Sequence, residues 1–173
     1  MRKSTVVVGP FVAIALGASA VACGSGNPGP TTDQASQAQG PTTTVGAIEA
    51  AADKAVSNAT ASKQSKLLYI VKFKIKDNFT NGLIKAGIAT NVFDMLKDIS
   101  KSAPGGGYTI RFEGTFPMQD KYGKAITPDP VVFRATFMRS TAGRIQYDNI
   151  DTTSLDTLGD LADGAFYLHP AFD

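Results

Sequence analysis

Only two side chains here carry obvious covalent or ligating chemistry, since the 173 residues include one cysteine, Cys23, and one histidine, His169. A Ser/His/Asp or Cys/His arrangement therefore has a single candidate base, and no serine stands in a Gly-x-Ser-x-Gly elbow. His169 would need partners to hold a metal, and a lone histidine beside Pro170 reads as structural. Carboxylates are more plentiful. Glu113 with Asp120 or Asp129 is the kind of pair that glycosidase-type acid/base work requires. Strand alternation, however, puts Glu113 on an outward face beside Arg111, where a cross-strand ion pair accounts for it. Asp148, Asp151, Asp156, Asp160 and Asp163 miss the Asp-x-Asp-x-Asp-Gly calcium-loop spacing. Asp160 and Asp163 near Gly164 could hold at most a weak cation, and helix caps and solvated charge are the simpler reading. The expectation is no catalytic residue, no metal and no cofactor.

A more unusual grouping lies between Met118 and Pro130. Met118, Asp120, Lys121, Tyr122 and Lys124 gather aromatic, basic and apolar groups at what should be an exposed loop tip, beside Ile126. Such a mixture suits a partner-binding loop. The plainer reading is a hairpin with Gly123 in its turn.

The position of Cys23 gives it a role that its solitude would not. Arg2 and Lys3 precede a short apolar run, Val6 to Leu16, which ends in small residues; this is the shape of a secretion signal. Interrupted by Gly9, Pro10 and Gly17, the run falls short of the roughly 20 apolar residues of a spanning helix. Ala20-x-Ala22 suits ordinary signal peptidase, while Val21-Ala22-Cys23-Gly24 resembles the lipobox of bacterial lipoproteins, with Ala20 where that family usually has a large aliphatic residue. The resemblance implies a cleaved signal over 1–22 and lipid attachment, of the palmitate kind, at Cys23. An internal disulfide is excluded by the count.

Loss of the signal also changes the electrostatics. Of 17 Lys and Arg, Arg2 and Lys3 leave, so 15 remain against 15 Asp and Glu. A near-neutral exported chain gives no reason to expect nucleic acid as a partner. The charge is nonetheless unevenly spread, with lysines gathered between residues 63 and 101 and six aspartates, without Lys or Arg, between 145 and 173.

The elements that position these residues begin after a long polar stretch. From Gly24 to Thr44 the composition is Gly, Ser, Pro, Thr, Gln, Asn and Ala with one charge, Asp33, too little apolar surface to offset chain entropy. Residues 23–62 read as a disordered tether with a short, thin-faced Ala-rich helix around Ile48 to Val56; some 40 flexible residues would reach on the order of 35 Å. Residues 63–173 read as one α+β domain. Tyr69, Val71, Phe73 and Ile75 alternate with Lys72, Lys74 and Lys76 in a half-buried strand. Thr80 or Asn81 caps a helix of about 18 residues through Ile84, Ile88, Val92, Phe93, Leu96 and Ile99, stopped by Pro104-Gly105-Gly106-Gly107. Strands around 108–116 and 131–138 follow, joined by a connection too short for a helical crossover and hence antiparallel. Leu155, Leu158 and Leu161 give a shorter helix. The expected fold is a small antiparallel sheet of three to four strands packed by one long and one shorter helix. The apolar end, Ala165 to Phe172, should pack back onto it.

The layout of Cys23-Gly24-Ser25-Gly26, a Thr/Pro/Gln tether and a compact α+β domain resembles the small cell-envelope lipoproteins of actinobacteria, some of them prophage-borne. The stretch from Asn81-Gly82 to His169-Pro170-Ala171-Phe172, with Asp120-Lys121-Tyr122-Gly123 inside it, is similar to a domain of uncharacterised lipoproteins of that group. The resemblance implies a lipid-anchored address at the extracytoplasmic face of the membrane. The function expected is a non-enzymatic binding or accessory domain, whose partner is an envelope protein or a phage component. The alternatives are a prophage-encoded superinfection exclusion lipoprotein and a carrier of a lipid or other apolar ligand.

Overall fold

The computed structural model describes residues 43–78 and 80–172. The signal, Cys23 and the first part of the expected tether lie outside them. Helix α1 (Thr44–Ala55) begins where extended Thr43 turns its hydroxyl to accept the Gly46 N–H at 3.2 Å. Ala47, Ile48, Ala51 and Ala52 fall on one stripe and are all buried. Small side chains leave little apolar area, but they let the helix lie close to its neighbours. The chain leaves α1 through Asn58, left-handed at φ 66° and held by its N–H to Asp53 Oδ1 at 2.6 Å.

Strand β1 (Thr60–Lys63) then pairs antiparallel with β2 (Leu68–Lys74). The folded unit thus takes in residues 44–62, which the sequence reading assigns to the tether. In β2 the alternation holds, with Tyr69, Val71 and Phe73 buried and Lys72 and Lys74 exposed. Helix α2 (Asn81–Ser102) is capped by the Thr80 hydroxyl, which accepts from the Leu83 N–H at 3.3 Å. Its 22 residues span roughly 33 Å. Ile84, Ile88, Val92, Phe93, Leu96 and Ile99 are buried as their spacing predicts, joined by Ala89 and Met95.

From the end of α2 the chain enters β3 (Thr109–Thr115), then β4 (Val131–Met138), α3 (Arg139–Arg144), α4 (Leu155–Asp160) and β5 (Phe166–Leu168). The strands lie in the order β1-β2-β3-β4-β5. β3 and β4 form the expected antiparallel pair, and β5 adds antiparallel to β4. β2 and β3 are parallel. The sheet is therefore mixed and five-stranded, correcting the expectation of an antiparallel sheet of three to four strands. The cause is α2: a helix between two adjacent strands returns the chain to the end at which the first strand began, and the second then runs the same way. Among the described residues four α-helices accompany it: the long and the shorter helix expected (α2 and α4), the Ala-rich one (α1), and α3 besides.

Helix and sheet meet on one face only. Val71, Phe73, Ile110, Phe112, Phe133, Ala135 and Phe137 join the residues of α1 and α2 in one apolar core. Edge-to-face rings fill it, among them Phe112 against Phe137 at 6.1 Å and Phe73 against Phe133 at 6.3 Å. None of the alternate residues, Ile70, Lys72, Arg111, Glu113, Arg134 or Thr136, belongs to that core. The C-terminal segment packs back as expected, with Phe172 buried against Phe116 at 5.2 Å.

Candidate functional site

Parallel neighbours joined by a helix leave a crevice where the strands end and the helix begins, a position that α/β proteins use for ligands. Here that crevice is a cleft of about 400 Å³. Asp77, Asn78, Thr80, Asn81 and Ile84 enter it from the end of the β2 connection and the start of α2; Phe116, Pro117, Met118 and Gln119 come from beyond β3; Ala171 and Phe172 close it from the C-terminal turn. Each wall has a local cause. β3 loses its regular register between Gly114 and Thr115 and ends at Thr115, and Met118 beyond it lines the cleft. Asn81 Nδ2 donates to the Ala171 carbonyl at 3.3 Å, tying the end of the chain to the first turn of α2. Asn78 Nδ2 donates to the Leu83 carbonyl at the same distance. The result is an apolar floor of Ile84, Phe116, Met118 and Phe172 with amide groups on the rim. Such a site holds a compact, partly apolar group and orients it by hydrogen bonds.

Of the five sequence-predicted loop residues, Met118 lines this cleft and the others form a small hairpin that projects from it. Gln119 bridges to Ala125, and the Ile126 N–H donates to the Met118 carbonyl at 2.9 Å. Asp120 is occupied by the turn itself, its Oδ1 accepting from the N–H groups of Tyr122 and Lys124, both at 2.9 Å. Gly123 supplies φ 79°, as the turn requires. Lys121 Nζ sits 5.0 Å from the centre of the Tyr122 ring, which is 81% exposed. The loop is thus a hairpin with Gly123 in its turn and an exposed Tyr122 at its tip. Cys23 lies outside the described residues.

The groups considered for catalysis are dispersed over the fold. Glu113 sits directly opposite Arg134 on β4, its Oε1 3.4 Å from Arg134 Nε. The ion pair is the cross-strand one expected, with Arg134 of β4 as the partner, while Arg111, two residues away on the same strand, shares the face. Glu113 keeps the outward side of its strand expected for it, outside the apolar core, yet it is buried there. Asp129 pairs with Lys74 at 3.4 Å. His169 accepts the Ala171 N–H on Nδ1 at 3.1 Å, while its backbone N–H donates to the Val132 carbonyl of β4 at 2.7 Å. The first holds the C-terminal turn and the second continues the pairing of β5 with β4. Asp163 accepts from the Met138 N–H at 2.7 Å and the Thr141 hydroxyl at 2.8 Å, fixing the entry to α3. Among the described residues, no three His, Cys, Asp or Glu converge as metal ligands would.

A second hollow lies along α2 and the segment after α3, where Tyr147 packs its ring edge against Phe93. Burial pushes the Tyr147 phenol up to about 12. It stays protonated and donates to the Ala142 carbonyl at 2.9 Å, so it braces the turn and is no base. Asn78, Asn81, Phe116 and Phe172 are the cleft residues that sequence reasoning misses. The only signal for them was the apolar tail at 165–172. Comparison with family models, curated proteins and solved structures finds no match for the chain.

Proposed function

We propose that the mature chain is a lipid-anchored extracytoplasmic lipoprotein whose folded unit is a non-enzymatic binding or accessory module at the cell envelope. The observation that carries the binding half is the junction at Met118, where a cleft of mixed polar and apolar lining continues into an exposed tip bearing Tyr122, Lys121 and Lys124. Interfaces draw their energy from such a pairing of pocket and exposed aromatic anchor. The anchor half is supported by Cys23, at the end of a signal-like run and before a polar stretch. A cleft of about 400 Å³ with an amide rim fits one side chain of a protein partner, or a short polar ligand, better than an acyl chain. The phenylalanines that prompt the apolar-carrier reading are in large part packed on one another in the core.

Two measurements test the two halves. Fatty-acid labelling of the parent in its host should be lost in Cys23→Ala; an unlabelled parent would make this a freely secreted protein. Affinity capture from native envelope extract with the mature chain should retain a partner that Met118→Asp and Tyr122→Ala each release. Equal retention by parent and both variants would remove the cleft and tip from the binding surface.

A further inference from the structure

The face of the sheet turned away from the core is cationic, and strand register sets its charges in a row. Thr60, Lys72, Glu113, Arg134 and Tyr167 pair one to the next across all five strands. Beside them run Ser62, Ile70, Arg111 and Thr136. Lys74 follows Lys72 on the same side of β2. Against Lys72, Lys74, Arg111 and Arg134 this face sets one buried carboxylate, Glu113, with Asp129, which pairs with Lys74, and Asp163 at the margin, where its carboxylate accepts from the Met138 N–H.

Glu113 does not satisfy the guanidinium groups around it. Arg134 Nε approaches it to 3.4 Å without making a hydrogen bond, and Nε of both Arg111 and Arg134 is shielded from water and unpartnered among the described residues. A shielded donor without an acceptor is destabilising. Those two nitrogens are closed to an outside ligand, so an oxyanion set on this face is drawn by the net positive charge and met by the exposed ammonium groups of Lys72 and Lys74. At the margins stand Met138, 50% exposed, and Tyr167, 41% exposed. Tyrosine, with an apolar ring and a polar tip, settles at the headgroup level of a bilayer.

The charge selects the occupant. A second copy of this face would meet the first with the same excess of positive charge. The chain's own stretch from Gly24 to Pro41 carries one charge, Asp33, far too little. A sheet of five strands is about 19 Å across, and a leaflet of anionic lipid presents phosphates in a plane over that span. We propose that this open face docks on anionic membrane headgroups, with Lys72, Lys74, Arg111 and Arg134 toward the phosphates and Tyr167 and Met138 at the interface. The proposal rests on the envelope reading, in which an acyl group at Cys23 keeps the membrane within reach.

The test uses the Cys23→Ala chain, secreted with its signal removed after Ala22, so that vesicle binding belongs to the face and not to an anchor. It should sediment with phosphatidylglycerol vesicles but not phosphatidylcholine vesicles, and less so as salt is raised. In that background Lys72→Gln with Arg111→Gln should bind about 30-fold more weakly, two cations being removed. Neither side chain forms an ion pair among the described residues, so the circular dichroism spectrum should be unchanged. Should the double variant fail to fold, Lys74→Gln alone reads the same effect at about fivefold. Arg134 is left in place because its loss would strand the buried Glu113. Equal binding to both lipids, equal binding by parent and variants, or retention on inorganic polyphosphate without vesicle binding would each overturn the proposal. An unlabelled parent in the fatty-acid experiment removes the anchor and leaves the vesicle result standing, so the two failures are distinguishable.

Discussion

Tyr147 and Tyr108 are the residues whose ionisation the fold disturbs most clearly. Burial raises both phenols, that of Tyr147 to about 12. A raised folded value means that the neutral phenol is the form the fold favours. Its stabilisation is complete below the unfolded value near 10 and is lost as pH rises through about 12. Thermal midpoints should therefore fall between those limits. Tyr147→Phe should cost about 1 kcal/mol at neutral pH, through loss of the bond to the Ala142 carbonyl. It should also fall less steeply at alkaline pH, with Tyr108 left to account for the remainder. Melting curves of parent and variant from pH 8 to 12 check both points, and parallel curves would assign the alkaline loss elsewhere. Neither tyrosine was legible as special in the sequence. What makes Tyr147 so is its position under α2 after a turn, which spacing along the chain does not encode.

Among the elements, α2 is the one whose termination the structure explains best. Arg139, the first residue of α3, sends Nη2 to the carbonyls of Ser100 at 2.6 Å and Ala103 at 3.3 Å. It thereby brings a cation to the negative end of a 22-residue helix. Arg139→Ala should lower stability by about 1–3 kcal/mol, and Arg139→Lys by less, since the charge remains while the fork is lost. Urea unfolding of the three proteins checks the order, and a lysine variant as unstable as the alanine one would show that the fork alone matters. The helix itself was readable because Ile84 to Ile99 keep a 3.6 period over several turns. The alternation of Tyr69, Val71 and Phe73 was readable for the same kind of reason. The parallel pairing was not, because the direction of β3 follows from where α2 sets the chain down. Thr60–Lys63, four small or polar residues, gives no alternation to read. The candidate cleft was missed for a related cause, its walls coming from residues near 80, 117 and 172, which only the closed fold brings together.

For the whole molecule, the question is where the folded unit begins. Alanines carry little apolar area each, so residues 44–55 look like a marginal helix on a tether when weighed alone. In the fold their small size lets α1 lie close, burying Ile48 completely, and Ala59 after it joins the same core. β1 then covers the outer edge of β2, pairing Thr60 with Lys72 through to Lys63 with Tyr69. A chain trimmed to begin at residue 64 would lose both. Val71, fully buried, and the alanine-facing side of α2 would be opened to water, and β2 would present an apolar strand with an unpaired edge. Removing Ile48 alone by Ile48→Ala should cost about 2–4 kcal/mol. Removing all of α1 and β1 should exceed the whole stability typical of a domain this size. The trimmed chain should therefore associate through β2 or lose its cooperative urea transition, whereas one beginning at residue 43 should keep a single sharp transition. Superimposable urea curves for the two chains would mean that α1 and β1 are dispensable and that the tether extends to residue 62 after all.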